Sequence, residues 1–254
     1  MPDGTMDSKA VDRTLREELW PQLKAVGFSR RTGRTAWRDQ GPAVQCVSVG
    51  SFNAHHADVM GATTYSIAVS LGVFFVEIAS RSLMGRFVRD PQRPKEHQCQ
   101  MRRVLTKGFT QPIDHRRPIF GLDPRAPTLG QWQDRSDVWL ILPDGSNVTT
   151  CVRDAVEQVM AQGIPWLDRL SDPTEAIRCL MEEPNVYGDR GVLLEAYGGA
   201  IGSPSRLQQA GALAAATGDV ELLRQLVDQM SEQPYWAEHP QELDTLRAEL
   251  VAAS

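Results

Sequence analysis

The chain has 254 residues, 41% of them hydrophobic and 23% charged, with a net charge of −5. That is the balance of an ordinary globular protein, long enough to bury a substantial core. Its longest apolar stretch, from Ile67 to Ile78, is broken by Ser70, Gly72 and Glu77 and falls far short of the ~20 residues that a membrane helix needs, which excludes a membrane-spanning reading.

Over residues 8–26, Val11, Leu15, Leu19, Leu23 and Val26 recur at three- and four-residue steps and predict an amphipathic helix that Asp7 or Ser8 can cap. Gly27 suits the left-handed residue after its end, with Phe28 folding back onto Leu23. Pro21 inside the pattern predicts a kink or a division into two helices. Strands are expected at 33–39, 43–52 and 63–78, the first two joined through Gly41-Pro42 as an antiparallel hairpin. The third is the clearest signal in the chain. Tyr65, Ile67, Val69, Leu71, Val73 and Phe75 alternate with Thr64, Ser66, Ala68, Ser70 and Gly72, so one face is apolar and the other small enough for close approach.

Residues 85–98, containing Pro91 and Pro94, read as a loop; 98–105 and 137–142 read as a fourth and a fifth strand. Between them lies a proline- and glycine-rich loop of a length that signals function or disorder. Pro143-Asp144-Gly145 closes the sheet region. After Asn147 the pattern is helical. Val152, Val156, Val159 and Met160 line a helix expected to stop at Gly163-Ile164-Pro165, and Asp172-Pro173-Thr174-Glu175 starts another with an N-cap, a first-turn proline and a capping carboxylate. Ser203-Pro204 opens a further helix, Gly218-Asp219 ends it and caps its successor, and 206–230 reads as a helical hairpin without a repeating second copy. The expected fold is α+β: an N-terminal helix on an antiparallel sheet of four to five strands over residues 1–146, then a helical C-terminal region over 147–254.

Several phrases in order resemble a bacterial family defined only as a domain of unknown function. They are residues 23–31 (LKAVGFSRR) continuing into Gly33-Arg34-Thr35-Ala36-Trp37-Arg38, the strand 65–73, His97-Gln98-Cys99-Gln100, Asp137-Val138-Trp139 and Ile164-Pro165-Trp166-Leu167. The resemblance covers about residues 10–170. It departs at Ser70, where the family often has asparagine, and at Val49-Gly50-Ser51, where the family's second strand ends in a Gln-Lys-Ser type of phrase. It implies an α+β fold and no reaction.

No GxSxG elbow, HExxH helix, GxxxxGK[ST] loop or GxGxxG turn occurs, which removes the commonest hydrolases, metalloproteases, nucleoside triphosphatases and dinucleotide enzymes. His55, His56 and Asp58 read as a solvated loop between strands, because adjacent histidines in extended chain point apart. The four cysteines, Cys46, Cys99, Cys151 and Cys179, form no CxxC pair and read as reduced core thiols of a cytoplasmic protein, the alternative being a metal or redox site built from Cys46, His97 and Cys99. The N-terminus lacks the basic start and apolar block of a secretory signal. No metal and no cofactor is expected.

Charge is segregated along the chain. Residues 81–125 carry eleven basic and four acidic side chains, whereas residues 126–254 carry eight basic and twenty acidic. Arginine outnumbers lysine 23 to 4, which suits bidentate recognition of carboxylate or phosphate. Arg102, Arg103, Arg116 and Arg117 are therefore the expected partner-binding residues, unless the basic segment pairs with the acidic helices of the same molecule. The function expected is a non-catalytic intracellular protein-binding module of the immunity or regulatory type. Its rivals are an enzyme with a site under the Arg-rich loop, which would show a concave pocket with convergent polar groups, and a nucleic-acid-binding protein.

Overall fold

The computed structural model describes residues 8–60, 62–81, 88–111, 135–188 and 191–253. Helix α1 (Ser8–Ala25) accommodates Pro21 without dividing and carries Val11, Leu15, Leu19 and Leu23 into the core. Its end is the expected one: Gly27 has a φ of 96°, its N–H donates to the Lys24 carbonyl at 3.1 Å, and the Phe28 N–H donates to the Leu23 carbonyl at 3.0 Å. Asp7 lies outside the described residues.

Seven antiparallel strands follow among the described residues where four to five were expected. They are β1 (Arg30–Thr32), β2 (Thr35–Gln40), β3 (Ala43–Ser51), β4 (Ile67–Phe75), β5 (Met101–Val104), β6 (Val186–Tyr187) and β7 (Leu193–Ala196), in the spatial order β1-β2-β3-β4-β5-β7-β6. Two sources account for the difference. A Gly33-Arg34 turn folds residues 30–32 back onto β2, and the C-terminal region, read as wholly helical, contributes β6 and β7 to the far edge of the sheet. Both added pairs are too short for alternation to register over a chain of side chains.

The expected fifth strand is corrected. Residues 137–142 meet the sheet at one bridge, Ile67 with Trp139, and no further. Side chains take the bonds that a partner strand would take: the Gln111 amide donates to the Leu140 carbonyl and accepts from the Leu140 N–H, each at 2.8 Å, and the Ser66 hydroxyl accepts the Ile141 N–H at 3.1 Å. Strand β4 is also shorter than expected. Thr63 and Ser66 bond to each other in a turn before it, and helix α3 (Val76–Arg81) replaces its far end. Residues 54–60, expected as loop, form helix α2 (Ala54–Met60), started by Asn53, whose side chain accepts the His56 N–H at 2.8 Å.

One face of the sheet builds the main core. Val47, Val49, Ile67, Val69, Leu71, Val73, Phe75 and Met101, each at most 2% exposed, pack under α1 and helices α4 (Val148–Gln158), α5 (Ile164–Leu170) and α6 (Pro173–Glu182). The helix expected to stop at Gly163 continues instead. A π turn over Val159–Gly163 joins α4 to α5, so the missing N–H of Pro165 falls where the ladder is already reset, and Gly163 lets the turn come down on Leu71. A Cβ on Gly163 would lie 3.1 Å from the Leu71 Cδ1.

Beyond β7, the helices α7 (Pro204–Thr217), α8 (Val220–Ser231), α9 (Pro234–Glu238) and α10 (Pro240–Ala253) complete the same core, with Leu207, Leu213, Leu223, Leu226 and Leu246 buried. The sequence-predicted punctuation holds: Asp172 caps α6 through the Thr174 and Glu175 N–H groups, Gly218 is left-handed at the end of α7, and Asp219 accepts the Leu222 N–H at 3.0 Å. No helix among the described residues is long and apolar enough to cross a membrane.

Candidate functional site

Of the four arginines singled out by charge, Arg116 and Arg117 lie outside the described residues. Arg102 and Arg103 are neighbours on β5, so their side chains leave opposite faces of the sheet. The structure separates them.

Arg103 faces the main core and is committed there. It stands opposite Glu195 of β7, pairs with the Glu195 carboxylate at 3.4 Å and donates to the Gln162 amide oxygen at 3.1 Å. The other Glu195 oxygen accepts from the Trp166 indole N–H at 3.1 Å and from the Tyr197 hydroxyl. Burial, then this bond to a carboxylate, raises the Tyr197 phenol far above its usual range. A parallel knot lies nearby: Glu183 accepts from Arg169 at 2.9 Å, from Arg178 at 2.8 Å and from the Cys179 thiol at 3.2 Å. Hydrogen bonds from Arg169 above all hold the Glu183 carboxyl down at about 2, while burial pushes the Cys179 thiol up to about 12.

Arg102 faces the other way and lines a groove of about 630 Å³. On this second face β4 carries Phe74 but no side chain at Gly72. Gly72 stands between Cys46 on β3 and Arg102 on β5, and the Cys99 sulfur occupies the space that a Gly72 side chain would need. The segment bearing Cys99 is seated by two more contacts. The Trp37 indole donates to the Pro94 carbonyl at 2.7 Å, and the Gln100 amide pairs with both the N–H and the carbonyl of Phe75, at 2.8 and 3.3 Å.

The floor of the groove is apolar, made by Phe74, Ile78, Val88 and Ala196. Gln208 and Gln209 from α7 form the opposite wall. The Gln208 Nε2 and the Gln209 Oε1 are buried atoms with no hydrogen-bond partner among the described residues. Glu96 does not line the groove but interacts with Arg102 and His97, which do; burial raises its carboxyl against their opposing pull. Burial and the adjacent Cys46 keep the Cys99 group in its thiol form.

All four cysteines are buried and free, and Cys46 and Cys99 share the small cluster on this second face without His97 joining them as a ligand set. Among the described residues no three His, Cys, Asp or Glu side chains gather as a metal ion would require. His55 and His56 are exposed on α2. Arg102 was legible as a charge, but Gln208, Gln209 and Ala196 were not. They come from a helix and a four-residue strand more than 90 positions away, and only the β5–β7 pairing brings them to Arg102. Compared with protein-family models, curated proteins and solved structures, the chain shows no match.

Proposed function

We propose that this protein is a non-catalytic, cytoplasmic, protein-binding module of the immunity or regulatory type, and that an acidic segment of its partner lies in the Arg102 groove. The observation that carries the reading is a groove whose apolar floor is flanked by the Arg102 guanidinium and by Gln208 and Gln209, each with one buried amide atom that has no partner among the described residues. A peptide unit offers the matching carbonyl and N–H, and a carboxylate matches Arg102. Gln100 and Gln111 already hold main chain in this two-point way within the molecule. Buried polar atoms left without partners cost ~1–3 kcal/mol each, so an occupant that satisfies them gains affinity.

Part of the Arg-rich surface is thereby reassigned. Partner contact falls to Arg102, with Arg103 serving the interior through Glu195. Among the described residues of the basic segment, this split divides Arg102 and Arg103 between two faces, whereas electrostatic binding of nucleic acid needs several cations on one face. The phrases shared with the bacterial family belong to this proposal, as does the cytoplasmic setting in which its thiols stay reduced.

A second reading is favoured by Glu96. A carboxyl with a raised proton affinity beside Arg102 and His97 is the chemistry of a general acid, and a concave groove is where an enzyme would hold its substrate.

The test is capture from the native cell with wild-type protein, Arg102→Glu and Ala196→Arg, the last filling the groove. A partner retained by the wild type and lost from both variants supports the module. A partner retained by all three removes the groove, and turnover lost specifically in Glu96→Gln would favour the enzyme.

A further inference from the structure

At the other edge of the sheet, the hairpin joining β1 and β2 faces the start of α1 across a small pocket of about 240 Å³. Its walls are Asp12, Arg16 and Trp20 from the helix and Arg31, Gly33 and Arg34 from the hairpin. Three guanidinium groups thus meet one carboxylate. Asp12 is spent on Arg34, accepting from its Nε at 2.6 Å, and this bond turns the far end of Arg34 so that its Nη1 is buried with no hydrogen-bond partner among the described residues. Arg31 lies over the Trp20 ring at 5.3 Å, a stacking contact that orients its guanidinium, and no hydrogen-bond acceptor takes its N–H groups among the described residues. Arg16 is exposed, and no carboxylate pairs with it among the described residues.

We infer that this pocket is an anion site for a phosphate monoester group, separate from the Arg102 groove. The charge count sets the class. Two positive charges remain uncompensated after Asp12 is matched to Arg34, and a phosphate monoester carries about −1.5 to −2 at neutral pH, where a carboxylate carries one. Geometry agrees with charge. Guanidinium groups from two elements approach from different sides, which suits a tetrahedral anion with three acceptor oxygens better than a planar one. Size sets the limit: 240 Å³ is below the ~300–1,000 Å³ of pockets that enclose drug-sized ligands, so the pocket takes the phosphate and little of what it is attached to. The Trp20 ring edge supplies an apolar wall for that first attached group.

The hairpin itself explains why the pocket forms here. Thr32 pairs with Thr35, leaving Gly33 and Arg34 as a two-residue turn, and Gly33 has a φ of 57° with open space around it. The Arg31-Thr32-Gly33-Arg34 phrase therefore places one arginine just before a tight turn and one within it, and α1 brings Arg16 and Trp20 up to them.

The test is titration of the full chain at low salt by calorimetry and by intrinsic tryptophan fluorescence, the Trp20 share taken from the difference between wild type and Trp20→Phe, with inorganic phosphate, phenyl phosphate and malonate as probes. Saturable binding of inorganic phosphate or of phenyl phosphate is expected. Loss of roughly tenfold or more in affinity is expected in Arg16→Gln, Arg31→Gln and Arg34→Gln, with no change in Arg13→Gln, an exposed arginine of the same helix outside the pocket. Tighter binding of phenyl phosphate than of inorganic phosphate would assign the ester, and the reverse the free anion; either supports the site. Malonate binding as tightly as phosphate, equal binding by Arg16→Gln and Arg31→Gln and the wild type, or no saturation below about 10 mM would overturn it. Thermal unfolding of each variant checks the fold, and Arg16→Gln, which removes an exposed group that has no partner among the described residues, keeps the test decisive if Arg34→Gln fails to fold.

Discussion

The Cys99 sulfur stands 2.4 Å, and its Cβ 2.7 Å, from where a Cβ on Gly72 would lie, so the second face of the sheet and the segment that covers it are fitted to each other at one missing side chain. Gly72→Ala is expected to destabilise the fold by roughly 1–3 kcal/mol through overpacking. Replacing Cys99 by glycine in the same chain should restore part of that loss. Urea unfolding midpoints of the wild type and the two variants measure it, and equal midpoints for Gly72→Ala and wild type would contradict the fit.

Leu71, fully buried on β4 beneath Gly163, should cost about 2–5 kcal/mol when changed to alanine, because the π turn cannot follow a shrinking side chain without losing its own contacts. A thermal midpoint within a degree of wild type would remove Leu71 from the core.

Arg206 is wholly buried and donates to the carbonyls of Cys179, Leu180, Glu183 and Gly199 and to the Asn185 side chain, with its guanidinium over the Tyr197 ring at 5.5 Å. It closes the C-terminal end of α6, where carbonyls lack helical partners and positive charge is favoured. Arg206→Ala should lose on the order of 3 kcal/mol as those acceptors are stranded. Arg206→Lys should recover less than half, since one ammonium cannot reach acceptors spread around a planar fork. Full recovery by lysine would show that charge alone is what matters.

The Glu183 carboxyl, held at about 2 against an ordinary value of 4.5, has a defined pH signature. A carboxyl lowered in the folded state stabilises the protein above its unfolded value, and that contribution disappears as pH falls from about 4.5 toward 2. Glu183→Gln should therefore be less stable at pH 7 and show a shallower loss of stability across that window. Denaturant midpoints between pH 2 and 7 decide it; parallel curves for the two proteins would contradict the assignment.

Burial lifts the Cys151 thiol to about 11 and the Cys179 thiol to about 12, and raises Cys99 well above its usual range. Native protein at pH 8 should react slowly with iodoacetamide, and the denatured, unreduced chain should show four free thiols. One fast-reacting thiol in the native state would contradict this.

Much of the fold was legible because its signals are long. The β4 alternation, the heptad-like spacing of α1, and the Asp172 and Asp219 caps each declare themselves within a few residues. What escaped was short or made by side chains. β6 and β7 have two and four residues, too few for period-two reading, and the segment at Trp139 looks like a strand but spends its hydrogen bonds on Gln111, Asn147 and Ser66. The site was legible only as charge. A run of arginines does not disclose which face each one takes, and the alternation along β5 sends Arg102 to a groove and Arg103 to Glu195.

The most direct measurement of the central claim is hydrogen exchange of the protein with and without its captured partner. Slowed exchange is expected, concentrated in residues 95–102 and in the first two turns of α7, around Gln208 and Gln209, with loss of that protection in Arg102→Glu. Protection confined to surfaces away from the groove, or protection unchanged by Arg102→Glu, would contradict it.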